Sequence, residues 1–329
     1  VGYANASDVG MNVGGQNSNE YDQSATWSNG VASSAGDWPG GFNTACGPIT
    51  NGFNGSMQWL KKRQEERGDI FQYSPKVKSV ISVGLNYYSG RSVRNSEKSG
   101  ISNYAWGDEY HEVLKKKIYK SLKIIINKIP IENYRICVDT SPVMDKVWAQ
   151  KSGIGWVGKH TNIITRDYGS WIFLGELMLD TELEYDPEFI EDLCGTCDAC
   201  IESCPTDAIF QPYQLDSNKC ISYQTIEYRG EFDENIDLDN WIFGCDICQE
   251  VCPWNNKFEQ ITNESVFQPR LKLINKKNSD WLELTSEEFS VLMKNSAIKR
   301  TKHSGLIRNV KHNLKSKSIS KAKNIISDE

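Results

Sequence analysis

The sequence predicts an α/β (α+β) domain that carries a cysteine-rich module and ends in a helical, basic tail. Three observations predict it. Strand-like and helix-like periodicities alternate between residues 57 and 189, and eight of the ten cysteines crowd into residues 194–252. Residues 289–327 then hold ten Lys or Arg and no Asp or Glu. At 329 residues the chain can bury a sizeable core, and 39% hydrophobic with 11% aromatic residues excludes a disordered protein. No apolar run approaches the roughly 20 residues that cross a bilayer, so no membrane role is expected.

Residues 1–56 form an atypical leader rich in Gly, Asn and Ser, without a basic residue. A flexible segment, a fragment boundary and a divergent first βα unit are all open for it. Residues 57–189 read as the main domain. Met57 to Arg67 looks helical, with Met57, Trp59 and Leu60 ahead of a charged stretch. Val77 to Tyr88 alternates and is β-branched, a strand. Asp108 to Ile129 spaces Val113, Leu114, Ile118, Leu122, Ile125 and Ile126 as a helix does. Tyr134 to Val138 is a short apolar strand that ends at Asp139. Thr140-Ser141-Pro142 then offers capping hydroxyls and a first-turn proline for a helix through Gln150. Trp171 to Leu179 is a further apolar strand, and the alternation implies an α/β sandwich. The cysteine module fills 190–256, and 257–329 reads as a helical basic region.

The cysteine spacing carries the chemistry. Cys194, Cys197, Cys200 and Cys204-Pro205 follow C-x2-C-x2-C-x3-C-P, the spacing of bacterial two-cluster ferredoxins. Cys220, Cys245, Cys248 and Cys252-Pro253 repeat it with a distant first member. In such runs the fourth cysteine reaches across to the other cluster. The expected sets are therefore Cys194, Cys197, Cys200 and Cys252 for one [4Fe–4S] cluster, and Cys204, Cys220, Cys245 and Cys248 for the other. Structural zinc uses C-x2-C pairs too, but does not explain two triple runs ending in Cys-Pro. Disulfides suit a secreted chain; the tight spacing strains them and no signal segment opens this one. A reducing cytoplasm is the expected location. Cys137 reads as a small buried hydrophobe, and Cys46 is left over.

Clusters move single electrons, so the remaining residues must hold a substrate or second cofactor. Gly153-Ile-Gly155-Trp-Val-Gly158 has the order of a dinucleotide fingerprint, but neither the following helix nor a later acidic residue supports one. A packed turn and a polar cofactor rim both stay open for it. Asp139, at a strand's carboxyl end, is a candidate acid. A shift of about three units, roughly 4 kcal/mol, would keep it protonated at neutral pH. An N-cap role for the helix after Pro142 competes with this.

Several runs in order resemble epoxyqueuosine reductases: Val138-Asp139 with Pro142, Gly153 to Asn162, Tyr168 to Glu176, Cys194 to Pro205, Cys220 to Glu227, Gly244 to Asn255, and Ser296 to Arg300 with Arg308-Asn309. The match runs from about residue 56 to about residue 314. The resemblance implies a cobalamin-binding domain joined to a ferredoxin-like module with two [4Fe–4S] clusters. It implies an oxidoreductase that reduces epoxyqueuosine to queuosine in the tRNA anticodon loop, with Asp139 as proton donor to the leaving oxygen. Cobalamin contacts are implied at Arg63, Asp139, Asn162, Ile163, Leu174, Ser222, Cys245 and Asp246, without a histidine below the cobalt. His160 reads as a polar turn residue.

Lys299, Arg300, Lys302, Arg308 and Lys311 are then expected to grip tRNA phosphates. An external low-potential electron donor is implied, and nothing in the pattern calls for more than a monomer. The leader lacks the family's opening βα pattern, and the chain resembles the short form that lacks a helical-repeat extension. Rival readings are a reductive dehalogenase, which shares both cofactors but uses an export signal and a tyrosine acid, a ferredoxin-type electron carrier, and a zinc-stabilised tRNA-binding module.

Overall fold

The computed structural model describes residues 11–17 and 52–327, apart from positions 93, 96, 185 and 234. Cys46 and most of the leader lie outside the described residues. The exceptions are residues 52–56 and β1 (Met11–Asn17), which pairs antiparallel with β2 (Ser79–Asn86).

Every residue of β2 is buried, because helices cover both faces of its sheet. A two-residue strand β3 (Gly100–Ile101) follows, then the long helix α1 (Tyr110–Ile126) and β4 (Tyr134–Cys137). Helix α2 (Asp145–Lys151), the hairpin β5 (Trp156–Val157) and β6 (Ile163–Ile164), and β7 (Ile172–Leu179) complete the domain. The sheet order is β1-β2-β7-β4, antiparallel at every step. Strand and helix do alternate, yet β7 inserts between β2 and β4, so the parallel neighbours that alternation suggests do not form.

The two faces follow the period-2 alternation of the strands. Ile81, Val83, Leu85, Phe173 and Leu177 pack on Leu114, Ile118 and Leu122 of α1. Val80, Cys137 and Met178 pack on Val143 and Trp148 on the α2 side. Cys137 is fully buried there.

Two local expectations need correction. The helix read over Met57 to Arg67 is broken at Arg63 (φ −119°, ψ 27°) into Gln58–Lys62 and Gln64–Gly68. The helix expected from Thr140 begins at Asp145, with Met144 at its N-cap and no side-chain cap. Asp139 takes a left-handed conformation (φ 52°), which turns the chain away before a helix can start.

The cysteine module contributes α3 (Ala199–Glu202), α4 (Ile221–Ile226), β8 (Trp241–Phe243), α5 (Ile247–Glu250) and α6 (Pro253–Phe258). Strand β8 pairs parallel with β3, which ties the module to the main domain. The basic tail is not a loose appendage. Its last helix α7 (Lys302–Ser327) buries Leu306 and Val310 against Ile242, Phe243 and Trp281.

Candidate active site

Asp139 follows the end of β4 and meets the first turn of α1. His111 Nε2 lies 3.0 Å from Asp139 Oδ2, and His111 Nδ1 meets Glu109, whose carboxylate also caps the helix at the His111 N–H. The Tyr110 ring stacks on His111 at 4.1 Å and on Phe173 at 4.2 Å, so the imidazole is wedged in place. Burial pulls the His111 pKa down, but the bonds from Asp139 and Glu109 outweigh it and carry it to about 9. Partial desolvation pushes Asp139 up, yet the His111 bond and charge, then the Tyr110 hydroxyl and Arg67, leave it below its ordinary value.

The upward shift expected for Asp139 therefore does not occur by itself. At neutral pH the proton belongs to the His111–Asp139 unit and resides on the imidazole. Asp139 is also no helix cap, since α2 starts six residues later. Its side chain is 57% exposed, so the unit opens toward solvent.

The eight module cysteines fall into two electrostatic neighbourhoods. Cys200 faces Cys194, Cys252 and Cys197, and Cys252 faces Cys197. Cys220 faces Cys204, Cys245 faces Cys248 and Cys220, and Cys248 faces Cys220 and Cys204. Cys248 also neighbours Cys200, which puts the two groups side by side. None of the eight is in a disulfide. Burial, then mutual charge, pushes the Cys200, Cys245 and Cys248 thiols up, to about 12 for Cys200.

Backbone N–H groups compensate: those of Ser222 and Tyr223 point at Cys220, Ile247 at Cys245, and Trp254 and Asn255 at Cys252. Crowded thiols with amide donors suit cationic iron–sulfur clusters and suit nothing neutral. Among the described residues, no three His, Cys, Asp or Glu side chains converge tightly enough for a single metal ion.

The expected cobalamin contacts divide. Ile163 and Leu174 meet in one apolar patch with Ala149 and Ile154. Asn162 stands beside it, and its Oδ1 accepts from Lys146 Nζ at 3.2 Å, which leaves the amide N–H groups for another acceptor. His160 is buried and held neutral, down to about 4 by burial, then by Lys146. Its Nδ1 accepts from the Asn162 N–H, and its Nε2 is buried without a partner. It lies in the turn between β5 and β6. An apolar patch that ends in the partly exposed Leu174, beside the unspent Asn162 amide, fits a corrin with its amide rim.

Arg63 and Asp246 are committed elsewhere. Arg63 pairs with Glu66 and lies over the Tyr73 ring. Asp246 accepts from the Ser102 hydroxyl and, at 2.7 Å, from the Asn103 N–H, stapling its loop to the main domain. Only backbone approach is left to it. Gly155 belongs to packing: a Cβ there would lie 2.1 Å from the Ile164 carbonyl oxygen, so the glycine run serves the β5–β6 hairpin.

The basic residues divide as well. Lys299, Lys302 and Lys311 are exposed. Arg300 is held by Glu227 through two 2.9 Å bonds. Arg308 is a correction: it donates to the carbonyls of Gln224, Tyr228 and Gly230 and lies 4.1 Å over the Phe232 ring. Half-buried and fully engaged, it is a structural staple and not a free phosphate grip.

Sequence reasoning missed His111, Tyr110, Arg67 and Lys146. Sequence spacing cannot pair His111 with Asp139, which is 28 residues away. A carboxylate inside the apolar run of β7, Glu176, was a visible signal that went unused.

Comparison with known proteins adds the following. A family model described as "Epoxyqueuosine reductase QueG, DUF1730" matches residues 67–140, and one described as "4Fe-4S double cluster binding domain" matches residues 193–255. The chain is similar to an epoxyqueuosine reductase of Cellulophaga algicola, with 44% identity over 264 residues, 80% of this chain and 85% of that one. It is similar to one of Leadbetterella byssophila, with 46% identity over the same shares. Among solved structures, an epoxyqueuosine reductase with an epoxyqueuosine-modified tRNA stem loop superposes with a TM-score of 0.75 at 26% identity, covering 94% of this chain and 79% of that one.

Proposed function

The chain belongs to the epoxyqueuosine reductase family, and from this premise we propose that it reduces epoxyqueuosine to queuosine in the anticodon loop of tRNA. The observation that carries this is the 44% and 46% identity across four-fifths of the chain, with family models on both the acid segment and the cysteine module. Two electrons and two protons convert the epoxide to an alkene and one water.

When bound, two [4Fe–4S] clusters and cobalamin supply single electrons and a low-valent cobalt nucleophile. The chain's own residues supply the rest. In this reading Cys194, Cys197, Cys200 and Cys252 hold one cluster, and Cys204, Cys220, Cys245 and Cys248 the other. Ile163 and Leu174 form the floor for the corrin, with the Asn162 amide and Ser222 at its rim.

Asp139 is the proton donor. An alkoxide leaves poorly, so an acid within hydrogen-bond reach of the departing oxygen is required. His111 returns a proton to Asp139 through the bond between them, so the unit behaves as one acid. Tyr110 and Phe173 keep that wall apolar and limit water once substrate closes the mouth. Lys299, Lys302 and Lys311 offer phosphate contacts along the tRNA, with Arg300 joining if it leaves Glu227. An external low-potential donor, a cytoplasmic site of action and a monomeric state complete the proposal.

The test is anaerobic purification with added cobalamin, followed by single turnover on tRNA carrying epoxyqueuosine, with wild type beside Asp139→Asn. Conversion by wild type, and loss of about 10²–10⁴ in rate in the variant with cofactors retained, is the expected result. Failure to bind cobalamin at all would leave an electron carrier instead.

A further inference from the structure

Glu176 stands in the middle of β7 with 0% of its surface exposed, on the sheet face that also carries Val80, Cys137 and Met178. Neither carboxyl oxygen of Glu176 meets a donor, and Oδ1 of Asp145, in the first turn of α2, is likewise buried without one. The α2 side packs on that same face, with Val143 and Trp148 against Val80, Cys137 and Met178, and the two carboxyl groups act on each other there. A carboxylate only accepts, so two of them can bond only through a proton carried by one. Two ionised carboxylates in that place would repel in a low dielectric.

The charged and titratable neighbours are few. Arg67 reaches the pair from the helix Gln64–Gly68, and Lys146 follows Asp145 on α2. The Cys137 thiol lies on β4, and Asp139 lies just beyond it. Both cations act on Asp145, which marks Asp145 as the ionised partner and Glu176, among apolar side chains, as the protonated one. Burial pushes Glu176 well up, with Asp145 adding to the effect.

We infer that Asp145 and Glu176 share a single proton carried by Glu176, and that the remaining negative charge stands behind Asp139 and keeps the His111–Asp139 unit protonated to higher pH. Asp145 and Glu176 are positioning residues for the acid. The consequence for turnover rests on the proposed role of Asp139; the shared proton does not.

Two variants separate the parts. Glu176→Gln removes the proton but leaves Asp145 charged. Asp145→Asn leaves Glu176 alone and buried, where it keeps its proton, and removes the charge. Infrared difference spectra of the anaerobic holoenzyme at neutral pH read the protonated carboxyl directly. The expected result is a protonated-carboxyl band present in wild type and in Asp145→Asn and absent in Glu176→Gln.

The titration of His111, one of four histidines, is followed by NMR in the same three proteins without any substrate. Asp145→Asn is expected to move its midpoint down by about one pH unit, the scale of one neighbouring charge, and Glu176→Gln to leave it in place. The alkaline limb of turnover follows the same pattern. No carboxyl band assignable to Glu176, or a His111 midpoint equally placed in all three proteins, would overturn the inference. If the spectra and titration behave as expected but tRNA is not turned over, the proposed function fails and the shared proton stands.

Discussion

His111 Nε2 lies 3.0 Å from Asp139 Oδ2, joining the first turn of a long helix to the end of an edge strand. The contact couples the titration of the two side chains. Burial alone would raise the carboxyl, but the neighbouring imidazole takes the proton and lowers it. Under the proposed role of Asp139, activity depends on the protonation of the pair and not on a lone carboxylic acid.

The first prediction concerns pH. The folded His111 pKa is raised from 6.5 to about 9. Its stabilising contribution is therefore fully present below pH 6.5 and is lost as pH rises through about 9. Turnover is expected to fall over the same upper range, as the proton leaves the unit. In His111→Ala the decline should move to lower pH, since Asp139 then holds the proton without the imidazole whose pKa stands at about 9. A rate–pH profile of both proteins checks it, and an unmoved limb in the variant would refute the coupling.

Cluster assignment predicts crossed losses. Cys204→Ser should disturb the cluster shared with Cys220, Cys245 and Cys248, and spare the one held by its sequence neighbours Cys194, Cys197 and Cys200. Cys252→Ser should do the reverse. Iron analysis should show each variant losing about four of about eight irons. Electron paramagnetic resonance of the reduced proteins should show a different signal surviving in each; the same survivor in both would break the assignment.

Arg308 and the exposed lysines should separate cleanly. Arg308→Ala removes a guanidinium bonded to three backbone carbonyls and should cost about 2–4 kcal/mol of stability in thermal or denaturant unfolding. Lys299→Ala, Lys302→Ala and Lys311→Ala should leave the unfolding midpoint within about 0.5 kcal/mol of wild type. Each should lower the salt dependence of tRNA binding by about one counterion. Binding titrations at several salt concentrations read this, and an unchanged slope in all three would remove the tail from the interface.

Gly155→Ala tests the hairpin that carries Ile163 in the apolar patch with Leu174. The added methyl would lie 2.1 Å from a backbone carbonyl, which cannot swing aside as a side-chain tip can. A loss of about 1–3 kcal/mol is expected. Wild-type stability in that variant would show that the hairpin yields more readily than its packing implies.

The sequence by itself determined the features that are local along the chain. The cysteine spacing stated how many clusters to expect and how the fourth ligand crosses, because a cube of iron and sulfur imposes its dimensions on neighbouring residues. The apolar alternation of β2 and β7 and the helical spacing of α1 placed the main elements within a few residues, since each must bury one face or both.

Only the tertiary structure decided what depends on distant residues meeting. The left-handed turn at Asp139 suppressed a helix that Thr140-Ser141-Pro142 would otherwise start. Arg308 became a staple because three carbonyls from residues 224–230 converge on it. His111 found Asp139, and Asp145 found Glu176, through packing of helices on a sheet whose strand order interleaves the chain. Local propensity is a property of neighbours in sequence. A proton's position is set by charge, burial and donors brought together in space.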